Sequence, residues 1–252
     1  MNQAEKTLAY DVLVQSVKRC SQCHGLKGNV TLQGCDFCEE INLWSYWEGG
    51  RDRLSATVLL VGQDWGDCYS DDHIRPFIDA QKSGTSSSHY MDNNLSITDR
   101  NLAELFESIG YDILQDMNGT RSSRELFFTN FVLCYRSKGL SGGFRNAWLR
   151  NCSDYFRRLV SIIEPKVILC LGRKVYEGVM KALDGQEAIP GWKIYNERLD
   201  ARVPSIAADR NCVVFPLAHC GIMGTNTRNR GKSFKDILDI QKQDWQEIAR
   251  YL

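Results

Sequence analysis

At 252 residues, with 43% hydrophobic and 25% charged content, the chain has the composition of a soluble globular protein that can bury a proper core as one large domain or two small ones. Its 31 basic and 31 acidic residues cancel, which argues against a nonspecific nucleic-acid binder and leaves any phosphate contact to a local patch. No apolar stretch approaches the ~20 residues of a bilayer span, and Met1-Asn-Gln-Ala-Glu-Lys6 lacks the pattern of a secretory signal, so a cytoplasmic location is expected.

In chain order, residues 4–19 carry Leu8, Val12, Leu13 and Val17 in a helical rhythm that stops at Cys20. Residues 20–56 are rich in cysteine and glycine and include a Trp44-Ser-Tyr-Trp47 cluster. Thr57-Val-Leu-Leu-Val-Gly62 is a short apolar run closed by glycine, the pattern of a strand buried on both faces of a parallel sheet. The polar stretch 66–97 follows, and a segment of that length is functional or disordered. Further apolar runs are expected to be strands at 126–134, 166–172 and 212–218. Helical patterns fall at about 98–109, 147–163 and 173–183, and a last helix at about 233–251 carries Phe234, Ile237, Leu238, Trp245 and Ile248 on one side. Strands alternating with helices predict a three-layer α/β/α sandwich around a central four-stranded parallel sheet. No phosphate-binding glycine loop is present, and Leu171-Gly-Arg173 is too weak a signal for a dinucleotide site.

In open parallel sheets, ligands bind beyond the carboxyl ends of the strands. The first strand ends in Gln63 and Asp64, the second contains Asn130, and the last leads through Pro216-Leu-Ala to His219. Taken alone, Asp64 reads as a cap of the following turn or helix and His219 as a structural histidine. Asn130 in an apolar strand needs its amide satisfied, by a backbone neighbour or by a ligand. Jointly, an acid, an amide and an imidazole at strand ends describe one site.

Ten cysteines in a cytosolic chain point to metal binding or burial rather than disulfides. Cys170 and Cys212 lie in apolar runs and read as packing residues, while Cys68 and Cys220 have no evident partner. Cys20-x-x-Cys23 and Cys35-x-x-Cys38 together suit a four-thiolate zinc site.

The chain resembles the uracil-DNA glycosylase superfamily, most closely its bacterial and archaeal, cluster-bearing (family 4-like) branch. Val61-Gly-Gln-Asp-Trp-Gly66 stands where that superfamily has Gly-Glu-x-Pro-Gly or Gly-Gln-Asp-Pro-Tyr. Arg75-Pro-Phe77, Thr129-Asn-Phe-Val-Leu-Cys134, Cys152 with Pro165-Lys-Val-Ile-Leu-Cys-Leu-Gly172, and His219 follow in the family's order. The likeness covers residues 20 to about 230 and implies one glycosylase-like domain over 1–252, with 20–56 as a Cys-rich metal-binding extension. Departures are also plain. Trp65 replaces the usual Pro, Gly66 stands where the most active branch has a Tyr that blocks position 5 of the base, and Cys-Gly follows His219 instead of Pro-Ser.

The resemblance implies hydrolysis of the N-glycosidic bond of a base flipped out of DNA, by a monomer with no membrane partner. It gives Asp64 the role of stabilising the sugar cation and orienting water, and His219 that of stabilising the departing base. It places Gln63, Phe77 and Asn130 around the base, with Asn130 reading its pairing edge and Phe77 stacking on its face. The loop after His219 would enter the minor groove, with Ile222 or Met223 as an apolar wedge and Arg228, Arg230 and Lys232 on phosphates; without the resemblance those charges read as a solvated loop. It also offers a second answer for the cysteines: one Cys-x-x-Cys pair joins Cys134 and Cys152 around a structural [4Fe-4S] cluster. Zinc on Cys20, Cys23, Cys35 and Cys38 remains the rival. Uracil is the default base; alternatives are a glycosylase for a bulky or 5-modified base, or a non-catalytic, metal-stabilised nucleic-acid-binding protein of the same fold.

Overall fold

A computed structural model of the protein describes residues 1–29, 53–64, 97–111, 113, 125–136, 143–183, 191–207, 211–229 and 237–252. Helix α1 (Gln3–Lys18) opens with a capping box, in which the Asn2 side chain accepts from the Glu5 N–H at 3.0 Å and the Glu5 carboxylate accepts from the Asn2 N–H at 2.8 Å. Strand β1 (Leu26–Asn29) follows, then β2 (Val58–Gly62), α2 (Ile97–Glu107), β3 (Leu126–Asn130) and β4 (Cys134–Arg136). The remaining elements are α3 (Asn146–Ile163), β5 (Val167–Leu171), α4 (Arg173–Ala182), α5 (Gly191–Ala201), β6 (Ser205–Ile206), β7 (Val213–Leu217), α6 (Ile222–Asn229) and α7 (Ile237–Gln246), with a 3-10 turn at Ile248–Tyr251.

The main sheet runs β3-β2-β5-β7-β6, with β2 parallel to both β3 and β5, and β5 parallel to β7. This corrects the expected four-stranded, wholly parallel sheet. Among the described residues it is a mixed, five-stranded one, because β6 pairs antiparallel with the outer side of β7. Two residues carry no periodicity, so β6 left no sequence signal. Pro216, register partner of Cys170 on β5, lies past the short β6, so that among the described residues no strand pairs with it on its other side, where its missing N–H would be needed.

Alternation along the strands builds the layers. Leu59, Val61, Ile168, Cys170 and Val214 face one core with α1, α3, α4 and α5. Val58, Leu60, Leu169, Phe215 and Leu217 face the other with α2, α7 and the 3-10 turn. Each strand is therefore apolar on both sides, as helices covering both faces of a sheet require. In the second core the Phe106 and Trp245 rings meet edge to face at 4.9 Å.

Other differences have local causes. The expected strand 126–134 breaks after Asn130, where the N–H groups of Phe131 and Val132 donate to the carbonyls of Gly62 and Gln63 at 2.9 and 3.0 Å. Its far end, β4, turns away to pair antiparallel with β1, setting Asn29 opposite Cys134. The expected loop after His219 is helical over α6, although Gly224, Thr225, Asn226 and Thr227 are poor helix formers. Packing against α7 holds it in place of propensity.

Candidate active site

The carboxyl ends of β3, β2, β5 and β7 lie side by side, with strand spacings of about 4.8 Å. That puts Asn130, the Gly62–Asp64 turn, Gly172 and His219 along one edge. Asn130 is 5% exposed. It lies across Gly62, its register partner: a Cβ on Gly62 would stand 2.1 Å from Asn130 Oδ1. Glycine at 62 is thus required by an amide that crosses directly above it. Next in the chain, Gln63 Nε2 donates to Asp64 Oδ2 at 2.9 Å.

His219 sits two residues past β7 in a tightly held turn. The Gly221 N–H donates to His219 Nδ1 at 2.9 Å, so Nδ1 is an acceptor and the ring proton of the neutral imidazole lies on Nε2. Desolvation of the ring by the surrounding turn pushes the His219 pKa below its ordinary value, although the residue keeps an exposed face, and the Asp64 carboxylate partly opposes this. The ring is therefore a neutral donor near neutral pH.

Residues that the sequence did not single out hold this turn. Asn101 Nδ2 donates to the Cys220 carbonyl at 2.7 Å, Thr225 Oγ1 to the Gly221 carbonyl at 2.9 Å, and Gln241 Nε2 to the Ala218 carbonyl at 3.3 Å. A Cβ on Gly221 would lie 3.0 Å from His219 Nδ1, and one on Gly224 only 2.3 Å from the His219 carbonyl oxygen. The Gly221-x-x-Gly224 spacing was the available signal: it lets α6 start directly against the histidine backbone.

At the start of α6, Ile222 is 47% and Met223 85% exposed. Arg228, expected on phosphates, turns inward instead. Its Nε and Nη2 donate to the two Asp244 oxygens at 2.7 and 2.8 Å and its Nη1 to Asp200 Oδ1 at 2.6 Å, which raises its pKa above the ordinary arginine value. A helix whose register faces α7 leaves that side chain buried, at 9% exposure, and its charge spent on carboxylates. Phe77, Arg230, Lys232, Cys35 and Cys38 lie outside the described residues.

The segment after α1 is pinned to α3: Trp148 Nε1 donates to the His24 carbonyl at 3.1 Å, and Asn151 Nδ2 lies 3.3 Å from Cys23 Sγ. Since α3 carries Cys152 and β1 pairs with β4, Cys20, Cys23, Cys134 and Cys152 share one neighbourhood and act on one another electrostatically. Burial pushes the Cys152 thiol up to about 12 and Cys134 higher still. Among the described residues, no three Cys, His, Asp or Glu side chains are close enough together to hold a metal ion. Thiols are the donor type that soft metals and iron–sulfur centres take.

The architecture is that of α/β proteins with a polar site at the carboxyl edge of a parallel sheet. A family model described as the Uracil DNA glycosylase superfamily matches residues 50–241, and the chain belongs to that superfamily, which consists in general of DNA glycosylases. No match was found among curated proteins. Among the described residues, no helix is long and apolar enough to cross a membrane.

Proposed function

We propose that the protein is a DNA glycosylase that hydrolyses the N-glycosidic bond of a base flipped out of the duplex, with uracil as the default substrate. The observation that carries this reading is the convergence of Asp64, a neutral His219 whose Nδ1 is held by the Gly221 N–H, and the nearly buried Asn130 on one sheet edge. Breaking the bond puts positive charge on the sugar and negative charge on the leaving base. Asp64 stabilises the first and orients the attacking water. The Nε2–H of His219 donates to the base carbonyl as the anion forms, and the histidine need not carry a proton beforehand. Asn130 offers both a donor and an acceptor to a pyrimidine edge, and Gln63 and Phe77 complete the base pocket. Ile222 and Met223, exposed at the start of α6, are suited to wedge between base steps.

The test is incubation with oligonucleotides bearing uracil, hypoxanthine, 5-methyl or 5-hydroxymethyl bases, followed by assay for abasic sites. Uracil release that is lost in Asp64→Asn and His219→Ala, with both variants folded, supports the reading. Binding without release of any base by the unaltered protein refutes catalysis and leaves the non-catalytic nucleic-acid-binding role. Gly66 favours a second reading, excision of a 5-modified base, because no tyrosine blocks position 5 there. Release of 5-substituted bases in preference to uracil would select it.

For the cysteines we propose a structural [4Fe-4S] cluster on Cys20, Cys23, Cys134 and Cys152, with zinc as the rival metal. Its support is the pinning of the Cys20–Cys23 segment to the helix that carries Cys152. A centre there would tie the N-terminal segment to β4 and α3, and it has no part in the hydrolysis. Brown protein with iron and sulfide after anaerobic purification supports the cluster, whereas colourless protein with stoichiometric zinc selects the rival.

A further inference from the structure

Arg228 is one end of a brace that reaches the catalytic turn from both sides. Helix α7 presents Gln241 and Asp244, three residues apart and hence on one face. Gln241 donates to the carbonyl of Ala218, the residue before His219. Asp244 grips Arg228 of α6, the helix that starts three residues after His219 and whose Gly224 abuts the His219 carbonyl. Helix α5 locks the far side through Asp200, through the Leu199 carbonyl at 3.3 Å from Arg228 Nη2, and through Arg202 Nε, which donates to Asp244 Oδ1 at 3.0 Å.

We propose that Arg228, Asp244 and Gln241 are positioning residues that hold the His219 turn in register with Asp64, with Arg228 acting through Asp244 and not through DNA. A buried ion pair is seldom the cheapest way to add stability, since apolar residues of the same volume do as well or better. Its directional bonds instead fix one orientation of α6 relative to α7. The Gln241 amide adds to this, because it is kept in a buried place although its Oε1 has no partner among the described residues. With α6 fixed, the Gly221 N–H stays aimed at His219 Nδ1, and Nε2–H stays aimed outward.

The inference rests on the glycosylase reading for its kinetic arm only. In 15N-labelled histidine spectra, with the His219 signal assigned by its loss in His219→Gln, the native protein should show Nδ1 as an unprotonated acceptor. Gln241→Met, which keeps side-chain volume and removes the orphan oxygen, and Asp244→Asn should each disturb that signal. An unchanged signal in both overturns the proposal, whether or not any base is excised. If uracil is released, the same variants should lose about 100-fold in single-turnover rate, with DNA affinity and its salt dependence unchanged. If instead Arg228→Met weakens DNA binding and lowers the salt slope by about 1 while the His219 signal stays put, Arg228 is a phosphate contact and the proposal fails. Asp244→Asn serves as the cross-check, since a carboxylate has no attraction to phosphate.

Discussion

Asn130 Oδ1 occupies the space a side chain at Gly62 would need, 2.1 Å from the missing Cβ. The two residues are register partners on adjacent parallel strands, so neither backbone can yield without breaking the ladder. Gly62→Ala should therefore expel the Asn130 amide from its place. The expected stability cost is about 1–3 kcal/mol, typical of overpacking. Loss of base release should exceed what that cost explains, measured as kcat/KM beside thermal unfolding.

Gly224 makes the same argument with backbone in place of a side chain. A Cβ there would meet the His219 carbonyl oxygen at 2.3 Å, and a carbonyl cannot rotate away as a long side chain can. Gly224→Ala should push α6 off the turn and lower the single-turnover rate by about 100-fold. DNA binding should fall less, because Ile222 and Met223 remain exposed on the same helix.

The pH dependence follows from the lowered pKa of His219, caused by desolvation of the ring and partly offset by Asp64. The folded protein holds the ring neutral at a pH where the unfolded chain would protonate it. The stability linked to this group is therefore complete above about pH 6.5 and declines as the pH falls below that value. Excision should persist below the ordinary imidazole range and then fail, because protonated Nδ1 would face the Gly221 N–H donor to donor. A pH–rate profile together with unfolding curves at several pH values checks both. A maximum rate that required protonated histidine would contradict the assignment.

Lys6 offers a stability prediction remote from the site. It is 8% exposed, and its ammonium donates to the Leu54 carbonyl at 3.2 Å and the Ile163 carbonyl at 3.0 Å while facing Glu164 at 3.0 Å. It joins α1 to the end of α3 and to the approach to β2. Lys6→Met keeps the stem and leaves both carbonyls without that donor, at a cost of about 1–3 kcal/mol. Chemical denaturation should show the loss, and the excision rate of the folded variant should stay at the native level.

Much of the fold was legible because the buried parallel strands are apolar on both faces, so β2, β5 and β7 stand out as short runs ended by Gly, Gly and a polar turn. Helices with a strong apolar stripe, α3 and α4, were equally clear. The elements that escaped are those held by partners and not by pattern. Strand β6 exists only as two residues against β7, and α6 is helical despite glycine, threonine and asparagine. Asp64, Asn130 and His219 were visible as polar groups at strand ends, a place with meaning in this architecture.

The order of residues alone determined the family, the alternation of strands and helices, and which polar groups end up at the carboxyl edge, since each is written in local hydrophobicity and in short motifs. Tertiary structure alone decided that His219 Nδ1 accepts from the Gly221 N–H, the need for Gly62 and Gly224, and the inward turn of Arg228. These depend on what lies across a gap from a residue, and that neighbour is supplied by a strand or helix distant in the chain. A guanidinium reads the same in sequence whether it faces phosphate or a buried carboxylate; here the α6–α7 contact chose the carboxylate.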